Sequence, residues 1–146
     1  MPVEVRAAPF DPWDELRCYR QQGLQPGARY GAIATFVGIT RDFDDDGQVH
    51  ALHLEHYPGM TERYLASLVE EARRRWDILD ALVIHRVGAL QPGDPIVLVA
   101  VWSSHRAAAF AACRYLMEEI KTRAPFWKKQ IFSHGARWVE HNTAGE

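Results

Sequence analysis

Three segments of the chain place apolar residues every three or four positions, the period of an amphipathic helix with one buried face. The predicted helices cover residues 11–23, 59–76 and 103–123. Asp11 is a suitable N-cap for the first helix, as are Ser103 and Ser104 for the third. The third helix ends before Pro125, which has no backbone N–H and cannot continue it. Its apolar positions include Phe110, Cys113, Met117 and Ile120.

Shorter segments rich in apolar and β-branched residues, bounded by turn residues, are typical of strands. The predicted strands cover residues 30–37, 49–57, 81–87, 96–102, 128–132 and 137–140. In the second strand, Leu52 and Leu54 alternate with His53 and Glu55, which predicts one buried and one exposed face. An acidic, solvated loop at residues 42–47 separates the first two strands, which we expect to form a hairpin. The last two strands should form another, and the order of elements is compatible with an α+β domain.

The composition is that of one ordinary globular domain covering residues 1–146. The chain is 47% apolar and 25% charged, with a formal net charge of -2. Such a balance lacks the broad basic field of a nucleic-acid or membrane-surface binder. The chain has neither an apolar stretch long enough to span a bilayer nor a signal-peptide pattern, so we expect a cytoplasmic protein.

The cysteines and histidines form no pattern typical of a redox or metal centre, and we expect no cofactor. Cys18 and Cys113 are far apart and lack CxxC spacing, which fits a reducing compartment. Cys113 lies on the apolar stripe of its helix, which favours a core thiol over a nucleophile. His50, His53 and His56 resemble a ligand set, but strand alternation places His53 on the opposite face from the other two.

A first basic cluster, His105 and Arg106, follows Ser103 and Ser104 at the predicted start of the third helix. The helix dipole disfavours positive charge in the first turn, so a bound anion would offset that cost. Exposed backbone N–H groups, an arginine fork and an imidazole together form a good receptor for phosphate or carboxylate. A solvated arginine and a packed histidine explain these residues equally well.

A second basic cluster spans the predicted end of the same helix and contains Lys121, Arg123, Lys128 and Lys129. Pro125 forces a chain reversal within it, so convergence of the lysines depends on the turn. Apolar and cationic neighbours can lower the pKa of a lysine, which can then serve as an acid, a base or an amine nucleophile. From the residues alone, the favoured interpretation is structural: the cations complement the helix dipole, and the aromatic residues between them anchor the core.

Several motifs together closely resemble the family of the large, catalytic subunit of molybdopterin synthase, the MoaE family. The principal motifs are HYPGMT at residues 56–61, SSHR at 103–106 and KTRAPFWK at 121–128. Supporting motifs are TFVG at 35–38 before Arg41, IHRVG at 84–88, PGD at 92–94 and RWVE at 137–140. They lie in order along nearly the whole chain, which makes a chance match implausible.

This resemblance implies a sulfur transferase of molybdenum-cofactor synthesis, which converts cyclic pyranopterin monophosphate into the dithiolene molybdopterin. The sulfur arrives as a thiocarboxylate on the C-terminal glycine of a small ubiquitin-like subunit with a diglycine end, whose tail enters a pocket of the large subunit. The implied fold is the α/β hammerhead, with an antiparallel-rich sheet and flanking helices. The implied assembly is a homodimer of large subunits with one small subunit at each far end.

The resemblance also implies roles for the two basic clusters. Lys121 and Lys128 are the implied catalytic residues that flank the reacting centre, where Lys121 stabilises the thiocarboxylate and acts as general acid or base. Arg41, His105 and Arg106 are implied to hold the pterin phosphate. The full implied substrate-binding set is Ile39, Thr40, Arg41, His105, Arg106, Lys121, Lys128, Lys129 and Gln130.

The sequence departs from the family pattern after residue 140, where many relatives carry further basic residues. His141 and Asn142 stand there instead, so Arg137 is the remaining candidate in this region for a phosphate contact.

Two other classes of function are compatible with the residues. A non-catalytic module would hold a phosphate ligand with His105 and Arg106, and its lysines would be structural. A nucleic-acid binder would use Trp127 with Lys128 and Lys129, and would need an extended basic face and salt-dependent affinity. The overall acidity disfavours the nucleic-acid binder.

Overall fold

A computed structural model describes residues 1–27, 29–41, 43–44, 47–132 and 135–138 of the chain. The helices within these residues are α1 (Pro12–Gln22), α2 (Met60–Arg75) and α3 (Arg106–Arg123). The strands within them are β1 (Val3–Arg6), β2 (Ala32–Ile39), β3 (Phe43–Asp44), β4 (Gly47–His56), β5 (Ile78–Arg86), β6 (Gly88–Leu90), β7 (Pro95–Ser103), β8 (Phe126–Phe132) and β9 (Gly135–Trp138). The mixture of helices and largely antiparallel sheets confirms the α+β class.

The helix boundaries follow from local chemistry. The Asp11 side chain caps α1 by accepting hydrogen bonds from the backbone N–H of Trp13 at 2.9 Å and of Asp14 at 3.4 Å. The helix α2 begins after Gly59, whose φ of 83° is a conformation that a side chain would disfavour. The helix α3 ends where Ala124 turns to extended angles before Pro125, as predicted.

The first sheet has the strand order β1, β5, β7, β2 and carries the main core. Strand β1 runs parallel to β5, and the other neighbours are antiparallel. One face packs against α2 and α3, with Val83, Val99 and Val101 facing Leu65 and Leu116. The opposite face is covered by α1. This sheet therefore lies between helical layers, which explains its nearly continuous apolar strands.

The second sheet positions the second basic cluster. Strand β4 pairs with β3, β6 and β8, and β8 also pairs with β9. In this register Leu54 lies opposite Lys128, and His56 lies opposite Phe126. Leu52 and Leu54 are buried, which confirms the predicted alternation in β4.

Two predictions about strands are wrong. Strand β2 pairs with β7 rather than with β4, so the expected hairpin of the first two strands does not exist. Part of the predicted acidic loop is a short hairpin, because Asp44 of β3 pairs with Gly47 of β4. Asp42, Asp45 and Asp46 lie outside the described residues.

The final hairpin is confirmed as the β8–β9 pair, in which Phe132 lies opposite Gly135. Strand β8 starts at Phe126, two residues before the predicted start, and β9 ends at Trp138. His134, Val139, Glu140 and the tail with His141 and Asn142 lie outside the described residues. Among the helices of the described residues, none is both long and apolar enough to cross a membrane.

The predicted serine N-cap of α3 is also wrong, because the N-cap residue is His105. The Ser103 hydroxyl donates to the carbonyl oxygen of His105, and the Ser104 hydroxyl donates to that of Arg29 at 3.0 Å. Both serines therefore tie together the backbone around the helix start instead of accepting from its N–H groups. On the same helix Phe110, predicted to face the core, is 67% exposed.

Candidate functional site

The turn between α3 and β8 brings the two predicted catalytic lysines together. Lys121 lies in the last turn of α3. Ala124 adopts extended angles, and its carbonyl oxygen accepts a hydrogen bond from Phe126 N–H at 2.8 Å. The chain therefore reverses sharply and returns along β4, with Lys128 as the third residue of β8.

Lys128 lies in surroundings that oppose its positive charge. Burial is the main cause that lowers its pKa from 10.5 to about 8, and the charges of Lys121 and Arg41 lower it further. These like charges act strongly only at short range, so the three cations share one region. The turn therefore places Lys121 and Lys128 near one another, and the buried charge favours the chemical interpretation of the second basic cluster over the purely structural one.

Strand β2 brings a third element to the lysines. The Lys121 ammonium nitrogen lies 6.0 Å from the centre of the Phe36 ring, on the inner face of β2. Three residues further along, Ile39 ends the strand with half of its surface exposed, and Arg41 follows as an exposed residue.

Between Ile39 and Arg41, Thr40 is held by the neighbouring turn. Its N–H donates to Asp94 at 2.9 Å, and its carbonyl oxygen accepts from Gly93 at 2.8 Å. Thr40 is only 5% exposed, and its hydroxyl has no hydrogen-bond partner among the described residues. The end of β2 is thus a fixed wall beside the lysines, with one buried hydroxyl facing no described acceptor.

The first basic cluster lies at the opposite end of α3. His105 is the N-cap residue, Arg106 is the first helical residue, and both are exposed. A helix rises about 1.5 Å per residue, so the fifteen positions from Arg106 to Lys121 span about 22 Å. The structure therefore does not bring the two basic clusters together within one chain.

Gly31 fixes the backbone beside the first basic cluster. Its N–H donates to the carbonyl oxygen of Ser103 at 2.9 Å. A Cβ atom on Gly31 would lie 2.1 Å from the carbonyl oxygen of Ser104, far closer than atoms approach one another. Only glycine allows β2 to begin this close to the start of α3.

The remaining predicted substrate residues lie in β8 and β9. Lys129 is paired in register with His53 and Trp138, and Gln130 with Leu52 and Arg137. The side chains of Lys129 and Gln130 lie outside the described part of the chain. The backbone places both next to Lys128 along one strand.

The other histidines and cysteines have structural surroundings. His53 Nε2 lies 2.9 Å from Glu55 Oε1, whereas the side chain of His50 is outside the described residues. The described residues contain no group of potential ligands that could hold a metal ion. Cys113 is buried, which raises the pKa of its thiol to about 11 and confirms a core thiol. Cys18 is exposed.

Sequence reasoning missed the residues that hold the start of β8. Trp127, expected in the core, is 40% exposed and contacts the ring of Tyr57 edge-on at 4.4 Å. Phe126 stacks on the buried ring of His85. A histidine within the apolar strand at residues 81–87 was the available signal, since a buried imidazole needs a specific environment.

The fold and the site define a class: an α+β domain with two converging lysines, one of them with a depressed pKa, at a cationic site suited to an anionic substrate. The comparisons with known proteins define the family. The family model described as "MoaE protein" matches residues 6–123, and the chain belongs to this family.

Close relatives and solved structures agree with this assignment. The molybdopterin synthase catalytic subunit of Ralstonia nicotianae is 50% identical over 144 residues, covering 99% of this chain and 80% of the relative. The MoaE protein of Burkholderia ambifaria superposes with a TM-score of 0.79 at 43% identity, covering 99% of this chain and 92% of that one. Molybdopterin synthase from Staphylococcus aureus superposes with a TM-score of 0.84 at 32% identity, covering 97% and 99%.

Proposed function

We propose that this protein is the catalytic subunit of a molybdopterin synthase. It transfers sulfur from the C-terminal thiocarboxylate of a small ubiquitin-like carrier subunit to cyclic pyranopterin monophosphate, forming molybdopterin. The observation that carries this proposal is the position of Lys128, whose pKa is depressed mainly by burial and further by the nearby charges of Lys121 and Arg41. A carrier tail and a pterin phosphate are both anions, and such a site holds anions without needing a reactive group of its own.

The lysines perform the central step. Lys121 stabilises the thiocarboxylate of the tail and exchanges a proton with the reacting pterin side chain. Lys128 faces it from β8 and shares the negative charge that develops during attack. Because its pKa of about 8 lies near neutral pH, Lys128 also gives up or takes a proton more readily than an ordinary lysine.

The residues at the end of β2 form the wall for the pterin. Arg41 pairs with the phosphate, Ile39 offers an apolar surface, and Thr40 between them holds this part of the wall through its backbone hydrogen bonds to Asp94 and Gly93. Lys129 and Gln130 continue this wall along β8. The sulfur comes from the carrier rather than from a cysteine of this chain: Cys113 is buried with a raised thiol pKa, and Cys18 lies on α1, on the face of the first sheet opposite α3.

The long separation of the two basic clusters supports a homodimer. A single pterin monophosphate is shorter than the roughly 22 Å between Arg106 and Lys121 along α3. His105 and Arg106 therefore bind the phosphate in a site whose lysines belong to a second copy of the chain. Two such sites related by two-fold symmetry lie in each dimer, and one small subunit serves each of them.

A reconstitution assay tests this function. The purified chain is mixed with thiocarboxylated small subunit and cyclic pyranopterin monophosphate, and dithiolene product is measured. We expect product from the wild type and a loss of about 100-fold or more in Lys121→Ala, as when one charge-stabilising donor is removed from an active site.

The matched control is Arg123→Ala, because Arg123 is also a cation in the last turn of α3 but is exposed and pairs with Glu119 at 3.4 Å. It should retain wild-type turnover. If the wild type binds the pterin phosphate but leaves the thiocarboxylate intact, the chain is an anion-binding module and the proposal is wrong.

A further inference from the structure

The strand that carries Lys128 is held at its start by contacts with α2, with β5 and with the turn between β4 and α2. The carbonyl oxygen of Pro125 accepts a hydrogen bond from the Thr61 hydroxyl of α2 at 3.3 Å. The ring of Phe126 stacks on His85 of β5, with 4.0 Å between ring centres and 19° between planes. These contacts act on consecutive residues directly before Lys128, together with the edge-on contact between Trp127 and Tyr57.

Three side chains make these contacts. Thr61 is buried but does not titrate, Tyr57 is half exposed, and His85 is both buried and titratable. His85 is 6% exposed, and its Nδ1–H donates to the carbonyl oxygen of Arg86 at 2.8 Å. A carbonyl oxygen only accepts, so this nitrogen carries a proton and the tautomer is defined. The tight packing around this buried ring, together with the hydrogen bond, holds the imidazole in the plane in which it stacks on Phe126.

We propose that His85 is a positioning residue for Lys128: its ring, stacked against Phe126, fixes the start of β8 and so holds the ammonium group in the site. This inference rests on the role given to Lys128 in the proposed function. In this inference His85 binds no substrate, and its effect on the position of the lysine passes through Phe126 and the strand.

The strand needs such support because the site pushes Lys128 outward. Lys121 from α3 and Arg41 after β2 repel the ammonium group, and burial removes its hydration. A loosely held strand would relieve both costs by moving the lysine into solvent. The stack between His85 and Phe126 opposes this movement from the buried side, and the pairing of Leu54 with Lys128 opposes it across the sheet.

The ring plane of His85, rather than its proton chemistry, is what the geometry requires. Burial lowers the pKa of His85 to about 4, and the charges of Lys128 and His56 lower it further, against the opposing effect of the Arg86 hydrogen bond. The imidazole is therefore neutral at pH 7, and charging it would add another cation behind the lysines. A neutral aromatic ring of another kind should serve equally well.

Two substitutions of similar volume at position 85 test whether a planar ring is what this position requires. His85→Phe keeps a planar ring for the stack, whereas His85→Leu fills the space without one. The control is Ile84→Ala, which removes a buried side chain from the same strand on the opposite sheet face, away from Phe126. Turnover in the reconstituted system gives kcat and KM, and NMR titration of the lysine Nζ signals gives the pKa of Lys128 without substrate or partner.

We expect His85→Leu to lower kcat by about 10- to 100-fold, the effect of a small displacement of a catalytic group, with little change in KM. The pKa of Lys128 should rise toward its ordinary value in that variant. His85→Phe and Ile84→Ala should keep both the wild-type kcat and the depressed Lys128 pKa. The contrast between Phe and Leu at one position is a signature that a loss of overall stability would not produce.

Two outcomes would overturn the inference: a wild-type Lys128 pKa and kcat in His85→Leu, or equal losses in His85→Phe and His85→Leu. The second would mean that the imidazole nitrogens are required. If the wild type produces no dithiolene, the proposed function fails, and the Nζ titration still decides whether His85 controls Lys128. The two failures are therefore distinguishable.

Discussion

At the scale of one residue, Lys128 is a functional group that lowers the stability of the folded chain. Its folded-state pKa of about 8 lies below the ordinary 10.5, so the folded chain disfavours its charge. That cost is fully present below pH 8 and disappears as the pH rises toward 10.5. A residue kept in such a position at neutral pH serves chemistry rather than folding.

Replacing this lysine with methionine should therefore separate stability from activity. We expect Lys128→Met to raise the free energy of unfolding at pH 7 by about 1 to 3 kcal/mol, because an apolar chain of similar length removes the buried charge. Dithiolene formation should be lost. Denaturant unfolding at pH 7 and pH 10 measures the gain, which should shrink at the higher pH. A variant that is less stable than the wild type at pH 7 would contradict the depressed pKa.

The depressed pKa also sets the direction of the pH dependence. If the ammonium form of Lys128 holds the incoming anions, kcat/KM should fall as the pH rises through about 8, since this parameter reports ionisation of the free enzyme. Lys128→Arg stays charged throughout and should lack this fall, whatever its absolute rate. A rate that rises through pH 8 would instead make the neutral amine the active form.

At this scale, the sequence identified the residues but not their environment. Lys121 and Lys128 stand out because they flank Pro125 in a recognisable motif. Their convergence depends on the extended angles of Ala124, and the burial of Lys128 depends on the pairing of β8 with β4. Neither is a local property, so a pKa of about 8 could not be predicted from spacing.

Strand β2 and helix α3 show the same limit at the scale of elements. Both elements were predicted. However, β2 was expected to form a hairpin with β4, the next predicted strand along the chain, whereas it pairs with β7. Strands β1, β3 and β6 were missed because they have four, two and three residues, too few for a periodic pattern. The predicted serine cap failed because both hydroxyls donate to carbonyl oxygens across the turn.

The close approach of β2 to the start of α3 gives a prediction for Gly31. Gly31→Ala places a Cβ atom against the Ser104 carbonyl oxygen, so the turn carrying His105 and Arg106 must shift. We expect affinity for the pterin monophosphate to fall by about tenfold or more, the loss of a charge-assisted contact. Isothermal titration calorimetry measures this change directly.

Gly27→Ala is the matched control for this experiment. Gly27 has a φ of 83° but open space around its Cα, so alanine there strains the backbone without pushing on α3. It should lower stability and leave pterin affinity unchanged. Equal affinity losses in both variants would mean that general destabilisation, not the position of α3, controls binding.

At the scale of the whole molecule, α3 separates the cations that the proposed reaction needs in one place. His105 and Arg106 begin the helix, and Lys121 lies in its last turn. If two copies each contribute one end of α3 to a site, the active unit is the dimer.

Mixed dimers test this arrangement. Arg106→Ala and Lys121→Ala homodimers should each be severely impaired, because every site in them lacks one required cation. A mixed dimer contains one site with both residues intact and one with neither, so it should recover about half of the wild-type activity per dimer. Co-expression with two affinity tags isolates the mixed species. Activity no higher than that of the better homodimer would mean that each site is built within one chain.

The source of the sulfur is the most direct test of the account as a whole. The measurement is the mass of the dithiolene formed by the wild-type chain from a small subunit whose thiocarboxylate carries a heavy sulfur isotope. We expect two heavy sulfurs in every product molecule, with two carrier tails consumed for each, and the same result when Cys18 and Cys113 are replaced by serine. Unlabelled sulfur in the product, or product formed at the same rate from free sulfide without the carrier, would contradict it.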